Sequence, residues 1–95
     1  MSWKVREYET IDSTNLEARR LLEGGAGAGL VVWSRHQTAG RGRMQRRWFD
    51  LPGRSLMVSM VMKGMESYRA GMLVALSVRE AIRKEGGVGP RFKWP

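Results

Sequence analysis

The chain has 95 residues, with 17 Lys and Arg against 9 Asp and Glu, a formal charge of +8 and no cysteine. That allows one small domain with a modest core, excludes disulfides and cysteine-ligated zinc or iron–sulfur centres, and fits a cytoplasmic setting. Neither a signal-peptide pattern nor an apolar run long enough to span a bilayer occurs, so a soluble protein with anionic partners is expected.

The first element expected is a strand over Val5 to Ile11, with Val5, Tyr8 and Ile11 as its apolar members. A helix follows: Thr14 and Glu17 have capping-box spacing, and Leu16, Ala18, Leu21 and Leu22 form a partial apolar stripe that the glycine-rich run 24–29 ends. Residues 30–34, Leu-Val-Val-Trp-Ser, form a short apolar run that predicts a strand buried on both faces. A basic segment comes next, and then a strand in which Leu56, Val58, Met60 and Met62 alternate with Met57, Ser59, Val61 and Lys63. Arg69 to Glu85 predicts a helix stopped by Gly86 and Gly87, and Arg91 to Trp94 a last strand. The order β-α-β-loop-β-α-β implies an α/β sheet with helices packed on it.

The basic segment, His36 to Trp48, holds four arginines, two glycines and a tryptophan, and six of the chain's 13 arginines fall between Arg35 and Arg54 against the single acid Asp50. Gly40 and Gly42 free the backbone to adopt unusual conformations and to approach a ligand closely. The arginine side chains suit carboxylate and phosphate oxygens. Gln37 both donates and accepts, which suits a ureido or amide ring, and Trp48 offers a flat apolar wall. These residues point to a ligand with a polar head, an apolar body and a negative end. With few apolar groups of its own, the loop is expected to be ordered by that ligand.

Thr10-Ile-Asp-Ser-Thr-Asn-Leu-Glu17, some two dozen residues upstream, resembles the Asp-Ser-Thr-Asn signature of the biotin protein ligases, and Gln37 to Trp48 resembles their glycine-arginine biotin loop. Ser55 to Met60 resembles the strand that follows this loop, and Lys93-Trp-Pro95 the start of the family's Lys-Trp-Pro-Asn-Asp motif. The resemblance implies a mixed β-sheet with packed helices, α/β in the broad sense (α+β), like the class II aminoacyl-tRNA synthetases. Residues 1–95 would be the N-terminal part of a biotin/lipoate ligase catalytic domain without a DNA-binding domain, the rest of that domain lying elsewhere.

The implied reaction activates biotin's carboxylate on the α-phosphate of ATP and then passes biotin to a lysine of a biotin carboxyl carrier protein. Two anions must meet, so positive charge is needed where they react. Arg43 matches the residue expected to act on carboxylate and α-phosphate. Arg41, Arg43 and Arg46 match phosphate-binding positions. Ser13, Thr14, Asn15, Gln37, Gly40, Arg41, Gly42, Arg43 and Trp48 match biotin-binding positions, with Ser13 as ligand contact and Thr14 as helix cap and pocket wall. Local capping alone is the competing reading of Ser13 to Asn15. Magnesium accompanies ATP, its ligands expected after Pro95. No specific DNA binding and no membrane partner is expected, whereas a sheet edge beside Lys93 would recruit a second copy, and the 95 residues alone would be inactive.

A lipoate-protein ligase-like adenylating enzyme and a basic nucleic-acid-binding domain are the alternatives. His36 reads as a strand-end residue, Met57, Met60, Met62 and Met72 as core filling, and Trp3 and Trp33 as packing residues. Arg79, Glu80, Arg83 and Lys84 read as the solvated side of a helix.

Overall fold

The computed structural model describes residues 2–64 and 66–91. The chain divides into two compact units, Met1–Lys63 and Gly64–Pro95. The first contains strand β1 (Lys4–Ile11), helix α1 (Thr14–Glu23), strand β2 (Leu30–Gln37), a 3-10 turn (Arg43–Gln45) and strand β3 (Met57–Met60); the second contains helix α2 (Ser67–Gly86). The expected strand from Arg91 to Trp94 lies, beyond Arg91, outside the described residues, as does Lys93-Trp-Pro95.

The sheet is mixed and ordered β1-β2-β3. β1 and β2 run parallel, from Lys4 opposite Leu30 to Ile11 opposite Gln37, joined by α1 as the crossover that a parallel pair requires. β3 returns antiparallel to β2, with Val31 opposite Met60 and Ser34 opposite Met57. Leu30, Val32 and Ser34 are buried, while Val31, Trp33 and Arg35 on the alternate face are partly exposed. The strand expected to be buried on both faces therefore buries one, because α1 covers only that side; on the other, the Arg35 guanidinium stacks 4.6 Å from the Trp33 ring and pairs with Glu7.

The core is small: Ala18, Leu30 and Val32, flanked by Tyr8, Leu21, Ala26 and Val61. From α1 the inward residues are Thr14, Ala18 and Leu21, at i, i+4 and i+7. Leu16 and Leu22 of the expected stripe are exposed instead. Met57 is buried at the start of β3, but Met60, at the same strand's end, and Trp3 are exposed and do not fill the core. α1 ends as its glycines dictate, with Gly24 N–H on the Arg20 carbonyl and Gly25 at φ +104°.

In the second unit α2 starts at Ser67, ahead of the expected Arg69, and stops where the glycines predict. Gly87 takes the left-handed conformation, φ 67°, and returns its N–H to the Arg83 carbonyl at 2.9 Å. Arg83 pairs with Glu80 one turn back. No helix among the described residues is long and apolar enough to cross a membrane.

Candidate functional site

The two parallel strands deliver Asp12–Asn15 and Gln37 to the same end of the sheet, where β3 begins. Ser13, not Thr14, caps α1: its backbone is extended and its Oγ accepts the Leu16 N–H at 3.3 Å. The expected capping box does not form: with Ser13 at the cap, the Glu17 N–H donates to the Ser13 carbonyl (3.0 Å) and the Thr14 N–H to Gln37, while the Glu17 carboxylate binds the Tyr8 hydroxyl and Arg20 (2.7 Å). That pairing, the Tyr8 hydrogen bond first, holds the Glu17 carboxyl below its ordinary pKa and raises the Tyr8 hydroxyl's. Asp12 accepts from Arg20 at 2.7 and 3.0 Å and from the Ser13 N–H, and these contacts hold its carboxyl at a pKa of about 2.

Thr14 is 4% exposed and points its hydroxyl at Gln37 Oε1 (3.1 Å) and Ser59 Oγ (2.7 Å). Its backbone N–H also donates to Gln37 Oε1, at 2.8 Å. The Ser59 hydroxyl in turn donates to Asn15 Oδ1. The acceptor ends of both amides are thus used inside the protein, and among the described residues no hydrogen bond occupies their NH₂ groups. Ser13, with its oxygen accepting from Leu16, keeps its own hydroxyl proton to donate.

The basic segment folds back on itself. Trp48 N–H donates to the Gly40 carbonyl (2.9 Å), Gly42 N–H to the Arg46 carbonyl (2.6 Å), and Arg41 pairs antiparallel with Arg47. Met44 and Gln45 close the turn in left-handed conformations, φ 59° and 63°. Thr38 and Ala39 N–H groups donate to the Ile11 and Asp12 carbonyls, anchoring the near stem to β1. The loop expected to await a ligand therefore carries its own backbone pairing.

The glycines act differently from the expectation. Neither Gly40 nor Gly42 is at positive φ, and the Gly42 N–H is spent on Arg46. Gly40 is required for space: a Cβ there would stand 2.8 Å from Gln37 Nε2 and 3.1 Å from the Trp48 carbonyl oxygen.

Ser13, Thr14, Asn15, Gln37, Arg41 and Trp48 line one open cleft of about 180 Å³, together with Met57, Val58 and Ser59. Six of the expected site residues thus meet, although 35 positions separate the first from the last. Gly40 lies behind the cleft against Gln37 and Trp48, and Arg46 is exposed on the far stem of the hairpin. The Arg43 backbone opens the turn, but its side chain lies outside what is described. Ser59 was missed from the sequence, where its signal was a hydroxyl in an apolar alternating strand. Asp50 was missed too: its carboxylate, 1% exposed, binds His36 Nδ1 at 2.8 Å and the Gln37 N–H at 3.1 Å. His36 is indeed a strand-end residue. Its hydrogen bond, more than that of Gln37, holds Asp50 below the usual carboxylate range against the opposing effect of burial. Among the described residues no three His, Cys, Asp or Glu side chains are grouped to hold a metal ion.

Residues 7–95 match the family model described as the biotin/lipoate A/B protein ligase family. Curated relatives include the bifunctional ligase/repressor BirA of Escherichia coli, 34% identical over 97 residues that cover 96% of this chain and 29% of that protein. The bifunctional ligase/repressor BirA of Bacillus subtilis is 29% identical over 92 residues, 93% of this chain and 28% of that protein. The chain thus spans under a third of the length of the relatives it matches.

Proposed function

Because the chain belongs to the biotin/lipoate A/B protein ligase family, we propose that its cleft receives the ring of biotin, and that residues 1–95 are the N-terminal part of a biotin protein ligase catalytic domain. The observation that carries this reading is the convergence of Ser13, Asn15 and Gln37, three donors whose acceptor ends are engaged internally, beside the Trp48 indole. Such a set suits the carbonyl oxygen of a ureido ring with an apolar body lying against an aromatic wall.

In the proposed reaction a biotin carboxylate oxygen attacks the α-phosphorus of ATP, the bond to the β-phosphate bridge breaks, and pyrophosphate leaves. The ε-amine of a lysine on a biotin carboxyl carrier protein then attacks the acyl carbon, and AMP leaves. Arg41, at the cleft, and Arg43, at the turn, would offset the repulsion between the two anions and the charge that develops between them. Arg46 would bind the phosphates from the hairpin stem. Magnesium would accompany ATP, neutralising its phosphates; among the described residues no three His, Cys, Asp or Glu side chains are grouped to hold it. The hairpin and the N-terminus of α1 form one side of such a site, and the family's remaining residues would form the other. The 95 residues alone are therefore proposed to be inactive.

Biotin-dependent exchange of pyrophosphate into ATP by the whole protein tests the reading. Arg43→Ala should lower the exchange by about 10²–10³-fold while leaving the fold intact. Faster exchange with lipoate than with biotin would move the assignment to the lipoate ligases of the same family. A nucleic-acid reading is favoured by the Arg47 guanidinium stacked 5.0 Å from the exposed Phe49 ring. Salt-dependent binding of arbitrary oligonucleotides, with no biotin-dependent exchange, would support it instead.

A further inference from the structure

Asp50 stands alone as an acid among six arginines, yet its side chain is 1% exposed and is directed away from them, onto the end of β2. The β2–β3 ladder stops at Ser34 opposite Met57, and among the described residues no strand pairs with β2 on that edge beyond it. The Asp50 carboxylate fills the gap: one oxygen takes the Gln37 N–H and the other meets His36 Nδ1. Gln37 passes the constraint on, because its side-chain oxygen holds the Thr14 N–H at the start of α1. Two residues before Asp50 in the chain is Trp48, whose N–H is tied to Gly40. A single carboxylate therefore connects the far stem of the hairpin to the strand residue that caps the helix.

We propose that Asp50 is a positioning residue of the cleft, acting through Gln37: it fixes the amide of Gln37 and the Trp48 wall relative to the N-terminus of α1. The inference rests on the cleft being the biotin site only for its consequence in binding; the relay from Asp50 to Thr14 stands on geometry alone. His36 shares the clamp by holding the second carboxylate oxygen at 2.8 Å.

Amide hydrogen exchange on the ¹⁵N-labelled 95-residue chain, read by NMR, tests the relay. In Asp50→Ala the Gln37 and Thr14 amides should both exchange about tenfold faster or more, while Val32 and Trp33 in the centre of β2 keep their protection. Asp50→Asn retains an oxygen for the Gln37 N–H and should restore both amides to within a few-fold of wild type. An unchanged Thr14 amide in Asp50→Ala, or equal loss along all of β2, would overturn the relay. Titration of the whole protein and its Asp50→Ala variant with biotin, both sides of the site then being present, separates the two levels. An intact relay with no biotin-induced shifts at Ser13, Asn15 or Gln37 counts against the biotin reading and leaves the relay standing. Equal biotin affinity in wild type and in an Asp50→Ala chain that has lost the relay would overturn the positioning role.

Discussion

The side-chain oxygen of Gln37 accepts the backbone N–H of Thr14 at 2.8 Å, so the last residue of β2 caps the first turn of a helix 23 positions earlier in the chain. Thr14 is buried, and removing the acceptor leaves a helix N–H with no partner. Gln37→Ala should destabilise the fold by about 1–3 kcal/mol. Gln37→Glu keeps an oxygen there, places negative charge at a helix N-terminus, and should stay near wild-type stability while losing the NH₂ of a residue that lines the cleft. Urea unfolding of both variants checks this; equal destabilisation would show that the cap is not the cause.

Gly40 and Gly42 should separate sharply although both belong to one Gly-Arg repeat. A Cβ on Gly40 meets Gln37 Nε2, the Trp48 carbonyl and Trp48 Cβ within 3.3 Å, whereas one on Gly42 meets nothing nearer than 3.7 Å. Gly40→Ala should cost about 1–3 kcal/mol and displace the indole, while Gly42→Ala should be nearly neutral. Thermal melts with tryptophan fluorescence would show the contrast, and a comparable loss at Gly42 would show that the space around the two glycines does not set their requirement.

The turn at Met44 and Gln45 places two side-chain-bearing residues in the left-handed region. Each such residue costs roughly 1 kcal/mol, which glycine avoids at the expense of greater freedom in the unfolded chain. Replacing the pair with Asn-Gly, the sequence that such turns favour, should raise the melting temperature by a few degrees. A lower melting temperature would show that Met44 makes a contact worth more than the strain.

Asp12 supplies a pH dependence of known sign. Its folded pKa of about 2 lies below the unfolded value of roughly 3.9, so its contribution is complete above that value and disappears as pH falls through the folded pKa. Arg20 and Asp12 are 48% and 39% exposed, so solvent screening keeps the contribution of the pair small. Stability measured between pH 5 and 2 should fall less steeply in Arg20→Ala than in wild type. Parallel curves would assign the acid limb to other carboxylates.

The elements of the first unit were legible because their boundaries are marked by residues with few alternatives: the glycine run after α1, the apolar burst of β2, and the alternation leading into β3. The burial within them was less legible. Leu16 and Leu22 read as core by type, but helical phase places Thr14, Ala18 and Leu21 inward, and only the position of the sheet decides which stripe is used. The Asp-Ser-Thr-Asn and glycine-arginine segments pointed to the cleft, yet the internal bonding of Gln37 and Ser59 depends on which strand ends meet, a property of register. Asp50 was hidden for a related reason. An acid in a basic segment suggests charge balance, while its actual partners are a backbone N–H and an imidazole.

All of the cleft residues sit where β1 and β2 end and β3 starts, so the opposite end of this sheet, at the turn between α1 and β2, is where an interruption of the chain should leave the residues that line the cleft untouched. Gly27 and Ala28 are exposed there, and no neighbouring atom restricts a Cβ at Gly27. A fluorophore, an affinity tag or a small inserted domain placed between them would report on the molecule from the end remote from that cleft.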